Sequence, residues 1–442
     1  MEDPIFRLCH CTNIAVVGAG LAGLLAAQGL KKNGFDVIVF ERAASVEDVH
    51  RDWTMMIPWD IDALQRLVPT NILEALQDVV CNTGVHQTGV LEDIPVYNGL
   101  TGDLLFRKPT PEVRLVTRQR LRRILVQDLD VRWGMTVDYL KTVPYGVRLS
   151  FKNGEAHEAD YILGADGWLS RIRQLLMGSK IPRLCPSGYL LATGITKHSD
   201  PSKTEAILEA GPVASIMMGM KVVGTIGVMS VEDPQDLSTW TTFWTKLCRG
   251  VCVNLGGRNA LEYIKDCTPP LRDMFQSAID WTPAGSIVHI NEMYYWVPQP
   301  WNNIEGRVTL AGDAAHLMLH YGGQGWQHAV MDAENYVATM LRVENGMEPP
   351  AIAFQEYDAE ILQRGQIAVQ ESLQEAKIAL DPSRGKEMLE VPDIFVSLDE
   401  ALVDPLLGTE TLEVPDIFFL SQHEALVNPS LGMENLKVPD VD

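Results

Sequence analysis

Basic residues are scarce in this chain of 442 residues. Lys and Arg number 36 against 58 Asp and Glu, a formal net charge of −22 at pH 7. That surplus repels nucleic acid and anionic membrane surfaces, so neither is an expected partner. It is also uneven. Asp381 to Asp442 holds 14 acidic and 3 basic residues, half of the net charge. Cysteine is sparse and odd in number, with seven in all (Cys9, Cys11, Cys81, Cys185, Cys248, Cys252 and Cys267). This excludes a disulfide scaffold and suits free thiols in a reducing compartment. Cys9-x-Cys11 and Cys248-x3-Cys252 lack second pairs at zinc spacing, so no metal is expected. No run is long and apolar enough to span a bilayer. Met1-Glu2-Asp3-Pro4 has no basic leader and no cleavage site before the first strand. The expectation is a soluble, cytoplasmic protein without stable membrane insertion. Apolar content of 46% and charged content of 21% are globular values, and the length predicts two intimately packed domains.

What is present begins at Ile14. Ile14-Ala15-Val16-Val17 reads as a strand. Gly18-Ala19-Gly20-Leu21-Ala22-Gly23 follows and opens an Ala/Leu-rich helix to Leu30. A second apolar run, Val37 to Phe40, ends at Glu41-Arg42. Strand, glycine turn, helix, strand and acid in that order form the dinucleotide-binding βαβ fingerprint. Gly18 permits the tight turn, Gly20 lets a pyrophosphate approach the backbone, and Gly23 allows close helix packing. The helix N-terminus offers unpaired N–H groups to phosphate. Glu41, 18 residues past Gly23, stands where a carboxylate accepts hydrogen bonds from a ribose diol. A membrane span is excluded, because Gln28, Lys31 and Lys32 cut the apolar run short.

Along the rest of the chain, His50 to Trp59 reads as a buried crossover or a loop beside a flat aromatic ring. Asp62 to Leu76 reads as helices, and Gly99 to Arg107 as a hairpin. Thr117 is a candidate N-cap for an amphipathic helix with Leu121, Leu125 and Leu129 on its core stripe. Arg118 sits at the mouth of that helix, either on a solvated basic face or reaching a dinucleotide. Asn153-Gly154 predicts a hairpin whose second strand, Glu155 to Ile162, runs into Gly164-Ala165-Asp166-Gly167. Gly188–Thr196, Ala206–Leu208, Val213–Met220 and Val222–Met229 read as strands. Thr239–Leu247 and Leu261–Ile279 read as helices. Met217, Met218, Met220 and Met229, with Met293 to Trp296, either fill cores or form one apolar face for a large ligand. Arg307 to Leu310 reads as a strand that runs into Gly312-Asp313-Ala314-Ala315-His316. Gly322-Gly323-Gln324-Gly325 then opens a helix from Trp326 to about Asn345, and a further helix covers roughly Ala353 to Leu380. Beyond it, Ser-Leu-x-Glu-Ala and Leu-x-Val-Pro-Asp stretches recur every 23 to 24 residues. These are too few and too acidic for a solenoid with its own core.

Three motifs, Gly18-x-Gly20-x-x-Gly23 with Glu41, Gly164-Ala165-Asp166-Gly167, and Gly312-Asp313-Ala314-Ala315-His316, resemble the fingerprints of the single-component FAD-dependent aromatic hydroxylases. The fungal secondary-metabolite branch is similar, with Asp-Trp-Thr-Met and Ser-Leu-x-Glu-Ala stretches like those here. The resemblance implies an α/β fold: a Rossmann-like FAD-binding βαβ domain, an inserted α+β substrate domain and C-terminal helices. The expected division is 1–183 and 297–388 for the FAD-binding domain, 184–296 for the substrate domain and 389–442 for an acidic repeat tail. It implies FAD as cofactor and NADPH as co-substrate. Glu41, with Arg42 beside it, would hold the FAD ribose, and Arg118 would contact FAD from its helix mouth. Asp166 and Gly167 would serve both the FAD pyrophosphate and NADPH. Asp313 would bind the ribityl chain, Thr54 would lie near the flavin, and Gly323 and Gly325 would open a helix aimed at the flavin pyrimidine. Leu319-His320 stand where the family usually has Pro, and Gln327 where it usually has Asn. His320 and Tyr321 are the candidate catalytic side chains, against a reading in which they only pack over the glycine turn. The implied activity is hydroxylation or epoxidation of an apolar small molecule, aromatic or prenylated. A flavin oxidase or cyclase without oxygen insertion and a flavin-free scaffold are the alternatives. No oligomeric state is read from the sequence.

Overall fold

The computed structural model describes residues 12–48, 52–58, 61–81, 90–99, 101–178, 184–219, 221–250, 259–320 and 323–380. The 389–442 repeats and Tyr321 lie outside the described residues. All described residues belong to one unit, Met1–Pro392.

A five-stranded sheet anchors the fold. Its strands are β1 (Asn13–Val17), β2 (Asp36–Phe40), β6 (Asp130–Arg132), β10 (Tyr161–Gly164) and β16 (Val308–Leu310), in the order β16-β10-β1-β2-β6. All four pairings are parallel. Parallel strands need both faces covered, and Ile14, Ala15, Val16, Ile162 and Leu163 have no exposed surface. Helices α1 (Leu21–Lys32), α9 (Gly325–Glu344) and α10 (Pro350–Ala379) supply cover, with Leu24, Tyr336 and Phe354 in the same apolar cluster.

The second sheet has eight strands in the order β15-β11-β14-β13-β12-β4-β5-β3. They are β3 (Thr54–Pro58), β4 (Val90–Asn98), β5 (Leu104–Thr117), β11 (Cys185–Lys197), β12 (Ala214–Gly219), β13 (Val222–Ser230), β14 (Thr241–Arg249) and β15 (Val288–Tyr295). Three of these precede residue 184, so this sheet is shared across the expected 183/184 boundary. One face packs Leu190, Met217, Trp244 and Cys248 under α6 (Pro201–Ala210), α7 (Ala260–Cys267) and α8 (Asp273–Asp280). The other face carries Tyr189, Leu191, Met218, Val223 and Leu247, gathered with Leu319 and with Ala376, Ala379 and Leu380 at the end of α10.

Several expectations are corrected here. Ala206–Leu208 lies in helix α6, not a strand; Asp200 caps it by accepting the Ser202 N–H at 3.1 Å, and Pro201 opens it. Thr239–Leu247 is mostly strand β14, not a helix. Its Thr, Phe and Trp side chains fit a pleated surface between β11 and β13. Leu261–Ile279 is two helices, interrupted around Pro269-Pro270. The Asn153-Gly154 hairpin joins β8 (Gly146–Phe151) to β9 (Ala156–Ala159), both in a three-stranded sheet with β7 (Val137–Val143). The chain then changes sheets at Asp160, whose carboxylate accepts the Asn13 N–H at 2.9 Å, before β10 begins. Met217 and Met218 do not share one face either, and Met220 lies outside the described residues. Met217 and Met218 alternate to opposite sides of β12.

Among the described residues no helix is long and apolar enough to cross a membrane. Also among them, no group of His, Cys, Asp or Glu has a metal-holding arrangement. Cys81, Cys185, Cys248 and Cys267 are in no disulfide.

Candidate active site

The three glycine-bearing turns, far apart in sequence, meet at the carboxyl edge of the parallel sheet. Gly18 has φ +107°, and a Cβ there would stand 2.3 Å from the Ala165 carbonyl oxygen. Gly23 approaches the Gly18 carbonyl as closely, since its Cβ would lie 2.1 Å away. Gly312, at φ +60°, abuts the first turn of α1 at Ala22. Gly20 caps α1 without a side chain, so the first N–H groups of α1 are open to an anion.

Glu41 braces this edge. Its Oε2 accepts the Ala19 N–H at 2.7 Å, and its Oε1 accepts the Ala43 N–H at 3.0 Å. A carboxylate has lone pairs for about four hydrogen bonds, so capacity remains for a diol. Arg42 beside it is exposed.

Helix α4 (Arg118–Leu125) is doubly capped. Thr117 Oγ1 accepts the Arg120 N–H at 3.2 Å, and Asp52 accepts the Gln119 N–H at 3.0 Å. These caps hold Arg118 in the first turn, where a cation opposes the helix dipole. A Cβ built on Gly20 would lie 3.9 Å from the Arg118 guanidinium, which stacks over Trp53 at 4.9 Å. Burial and the neighbouring Arg122 both lower the Arg118 pKa, while Asp313, Glu41 and Asp52 raise it. A cation held under those conditions suits an incoming anion. Thr54 opens β3 beside this group, opposite Thr117.

Asp166 sits at the Gly18 turn, but its carboxylate serves helix α5 (Arg171–Met177). It accepts from Ser170 Oγ, from the Arg171 N–H at 2.6 Å and from the Ile172 N–H at 3.1 Å. Gly167, at φ +80°, has open space where a Cβ would stand.

Asp313 is exposed to solvent yet enclosed enough that burial raises its pKa, with His316, Arg118 and Arg173 pulling it back. Arg118 of α4 and Arg173 of α5 both lie within Coulomb range of its carboxylate, so these two helix starts and the Gly312 turn frame one groove at the sheet edge. Behind it Arg173 donates to the carbonyls of Asp313 (3.1 Å), Ala314 (3.0 Å) and Trp168 (2.6 Å), and burial lowers its pKa to about 10. Further along, Gly323 (φ +73°) and Gly325 have nothing within 4 Å of a Cβ position. Between them Gln324 Nε2 is buried without an acceptor. His320 keeps exposed surface, yet desolvation alone lowers its pKa to about 4, so its ring is neutral at pH 7. A neutral imidazole carries one bare ring nitrogen, which can accept a hydrogen bond or a proton.

Sequence reasoning missed the supports. Arg122 is buried and donates to the Ala19 carbonyl at 2.8 Å. Its i+4 spacing from Arg118 is the signal that both share one helix face. Asp332 accepts the Gly312 N–H at 2.6 Å and pairs with His316 at 2.8 Å and Arg364 at 2.6 Å. No local pattern marks it, because its partners come from a turn and from α10.

The family profile described as "FAD binding domain" matches residues 286–372, and "NAD(P)-binding Rossmann-like domain" matches residues 16–46. FAD-dependent monooxygenase phnB of Penicillium herquei is 32% identical over 387 residues, covering 85% of this chain and 93% of its own. The chain belongs to the FAD-dependent monooxygenases. Another such enzyme, dbaB of Emericella nidulans, is 26% identical and covers 72% of this chain and 84% of its own. HpxO of Klebsiella pneumoniae, solved with FAD and uric acid, superposes with a TM-score of 0.69 at 19% identity. It covers 88% of this chain and 94% of its own, a likeness of fold. FAD is the cofactor of this monooxygenase, and NAD(P)H is the typical co-substrate of its family. The groove fits that cofactor. It combines open glycine positions, two bracing arginines, the Asp313 carboxylate and the unpaired Gln324 amide.

Proposed function

We propose that this monooxygenase hydroxylates or epoxidises an apolar, aromatic or prenylated small molecule, with NADPH as reductant. The observation that carries the reading is the sheet face of Tyr189, Leu191, Met218, Val223 and Leu247. It is turned toward Leu319, which stands just ahead of the glycine turn that opens α9. Such a face suits an apolar ligand. On this reading residues 184–296, together with β3 to β5, form the substrate side, and 297–388 completes the cofactor side.

The geometry at the sheet edge supports the following cofactor roles. Glu41 would take the ribose, Asp313 the ribityl chain, and Arg118 with the first turn of α1 the pyrophosphate. Gly167 gives the backbone room beside it, and Thr54 lies on the flavin side. Gly323 and Gly325 leave the start of α9 open, where a helix dipole stabilises negative charge on a flavin edge. When bound, FAD supplies hydride acceptance and oxygen activation, chemistry that no side chain provides. The apolar face excludes water from that chemistry.

The test is to incubate the purified yellow protein and NADPH with extract from a host lacking its gene. A mass gain of one oxygen in an apolar compound supports the reading. Consumption of a compound without oxygen gain would favour the oxidase or cyclase alternative.

A further inference from the structure

Glu375 lies on α10 one turn beyond Ser372, whose Oγ accepts the Leu319 N–H at 3.2 Å. Ser372 and Ala379, its i−3 and i+4 neighbours, are buried, so Glu375 sits on the inward stripe of the helix. Its Oε2 is sealed from solvent and has no hydrogen-bond donor among the described residues. A buried acceptor without a donor is costly, and it calls for an explanation. The explanation is in what surrounds it. The adjacent Ala376 packs with Tyr189, Val223 and Leu247 on the substrate-side face. Lys108 on β5 belongs to the same face, since it pairs with Ile94, whose cluster meets that of Ala376 at Ile216. Burial and Glu371 raise the Glu375 pKa to about 7, while Lys108 lowers it. Burial raises Glu371 as well, and Lys108 is lowered by burial and raised by Glu375. Among the described residues these are the charged groups within Coulomb range of Glu375.

We propose that Glu375 is the acceptor for an acidic hydroxyl of the substrate, a phenol or enol, docked under the C-terminal end of α10 with Lys108 as counter-cation. The proposal rests on the monooxygenase site described above and names the substrate class it takes. The hydroxyl donates to Oε2. If the proton follows, the substrate O–H bond breaks and a carboxyl O–H bond forms. The negative charge passes to the substrate oxygen, and net charge is unchanged. Lys108 stabilises either arrangement.

The test titrates purified holoenzyme with β-naphthol and with its methyl ether, by calorimetry, near neutral pH. Wild type should prefer the naphthol by about tenfold, the scale of one hydrogen bond to a charged group. Glu375→Gln keeps a neutral carbonyl acceptor and should cut the preference to about threefold, whereas Glu375→Met, with no comparable acceptor, should bring the two ligands within about twofold without weakening the ether. Glu371→Gln should keep the preference. A protonated-carboxyl infrared band titrating near pH 7 should shift when naphthol binds wild type and be missing in Glu375→Gln. This band still decides the matter if the variant folds poorly. A wild type with no preference or no naphthol binding, or a preference that survives in Glu375→Met, overturns the proposal. Naphthol preference without any oxygen gain in the extract experiment would leave this subsite standing and sink the proposed reaction; the converse would sink the subsite alone.

Discussion

Asp332 accepts the backbone N–H of Gly312 at 2.6 Å, and both residues are buried. The contact ties α9 to the turn that presents Asp313. The same carboxylate holds His316 and Arg364, so one side chain joins the turn, α9 and α10. Asp332→Asn should cost roughly 3–5 kcal/mol, the scale for breaking a buried charge pair. Denaturant unfolding measures this, and flavin fluorescence on gel-filtered protein should show weaker FAD retention in step.

The same pair predicts a pH profile. Burial pushes the Asp332 carboxyl up, but His316, Arg364 and the Gly312 N–H hold it well below the usual range. Burial pushes His316 down, yet Asp332 raises it above its ordinary value. A depressed carboxyl contributes stability above its unfolded pKa of about 4 and loses it as pH falls. A raised histidine contributes fully below about 6.5 and loses it as pH rises through its folded value. The stability difference between wild type and Asp332→Asn should therefore peak between about pH 4 and 6.5. A difference that stays flat across a pH series of denaturation curves would contradict this.

Asp313→Ala should separate binding from folding. The carboxylate lines the groove, while only its backbone carbonyl is used by Arg173. The variant should unfold within about 1 kcal/mol of wild type and emerge from gel filtration colourless. A yellow Asp313→Ala protein would remove Asp313 from the cofactor site.

Two glycine substitutions should behave in opposite ways. Gly18→Ala places a Cβ 2.3 Å from the Ala165 oxygen at φ +107°, so folding should fail or lose several kcal/mol. Gly325→Ala meets nothing within 4 Å and begins a helix, so thermal stability should hold or rise by up to about 1 kcal/mol. Its FAD affinity should nevertheless fall, because the methyl fills the opening. Equal FAD affinity in Gly325→Ala and wild type would place the flavin elsewhere.

On the substrate side, Val223→Trp should raise KM for the natural substrate while leaving the flavin spectrum unchanged, since Val223 packs on the apolar face with Leu247. Peroxide release during NADPH oxidation should rise as substrate is excluded. Steady-state kinetics with peroxide detection reads both.

The sequence by itself determined the elements whose signals are local. A strand, a glycine turn and a helix within about thirty residues need each other and little else, so Ile14 to Arg42 was legible. Thr117 as a cap and Gly312-Asp313 as a turn were legible for the same reason. Tertiary structure decided what depends on distant partners. Thr239 to Leu247 became strand β14 because β11 and β13 flank it. Met217 and Met218 parted because alternation sends neighbours to opposite faces, one under helices and one toward Leu319. Asp332 carries no local mark, and neither the i+4 spacing of Arg122 from Arg118 nor the Ser-Leu-x-Glu-Ala stretch around Glu375 names a partner. Their roles come from backbone groups and side chains on other elements, from 16 residues away (His316 to Asp332) to 103 (Ala19 to Arg122) and beyond, and only packing brings those within hydrogen-bond or Coulomb range.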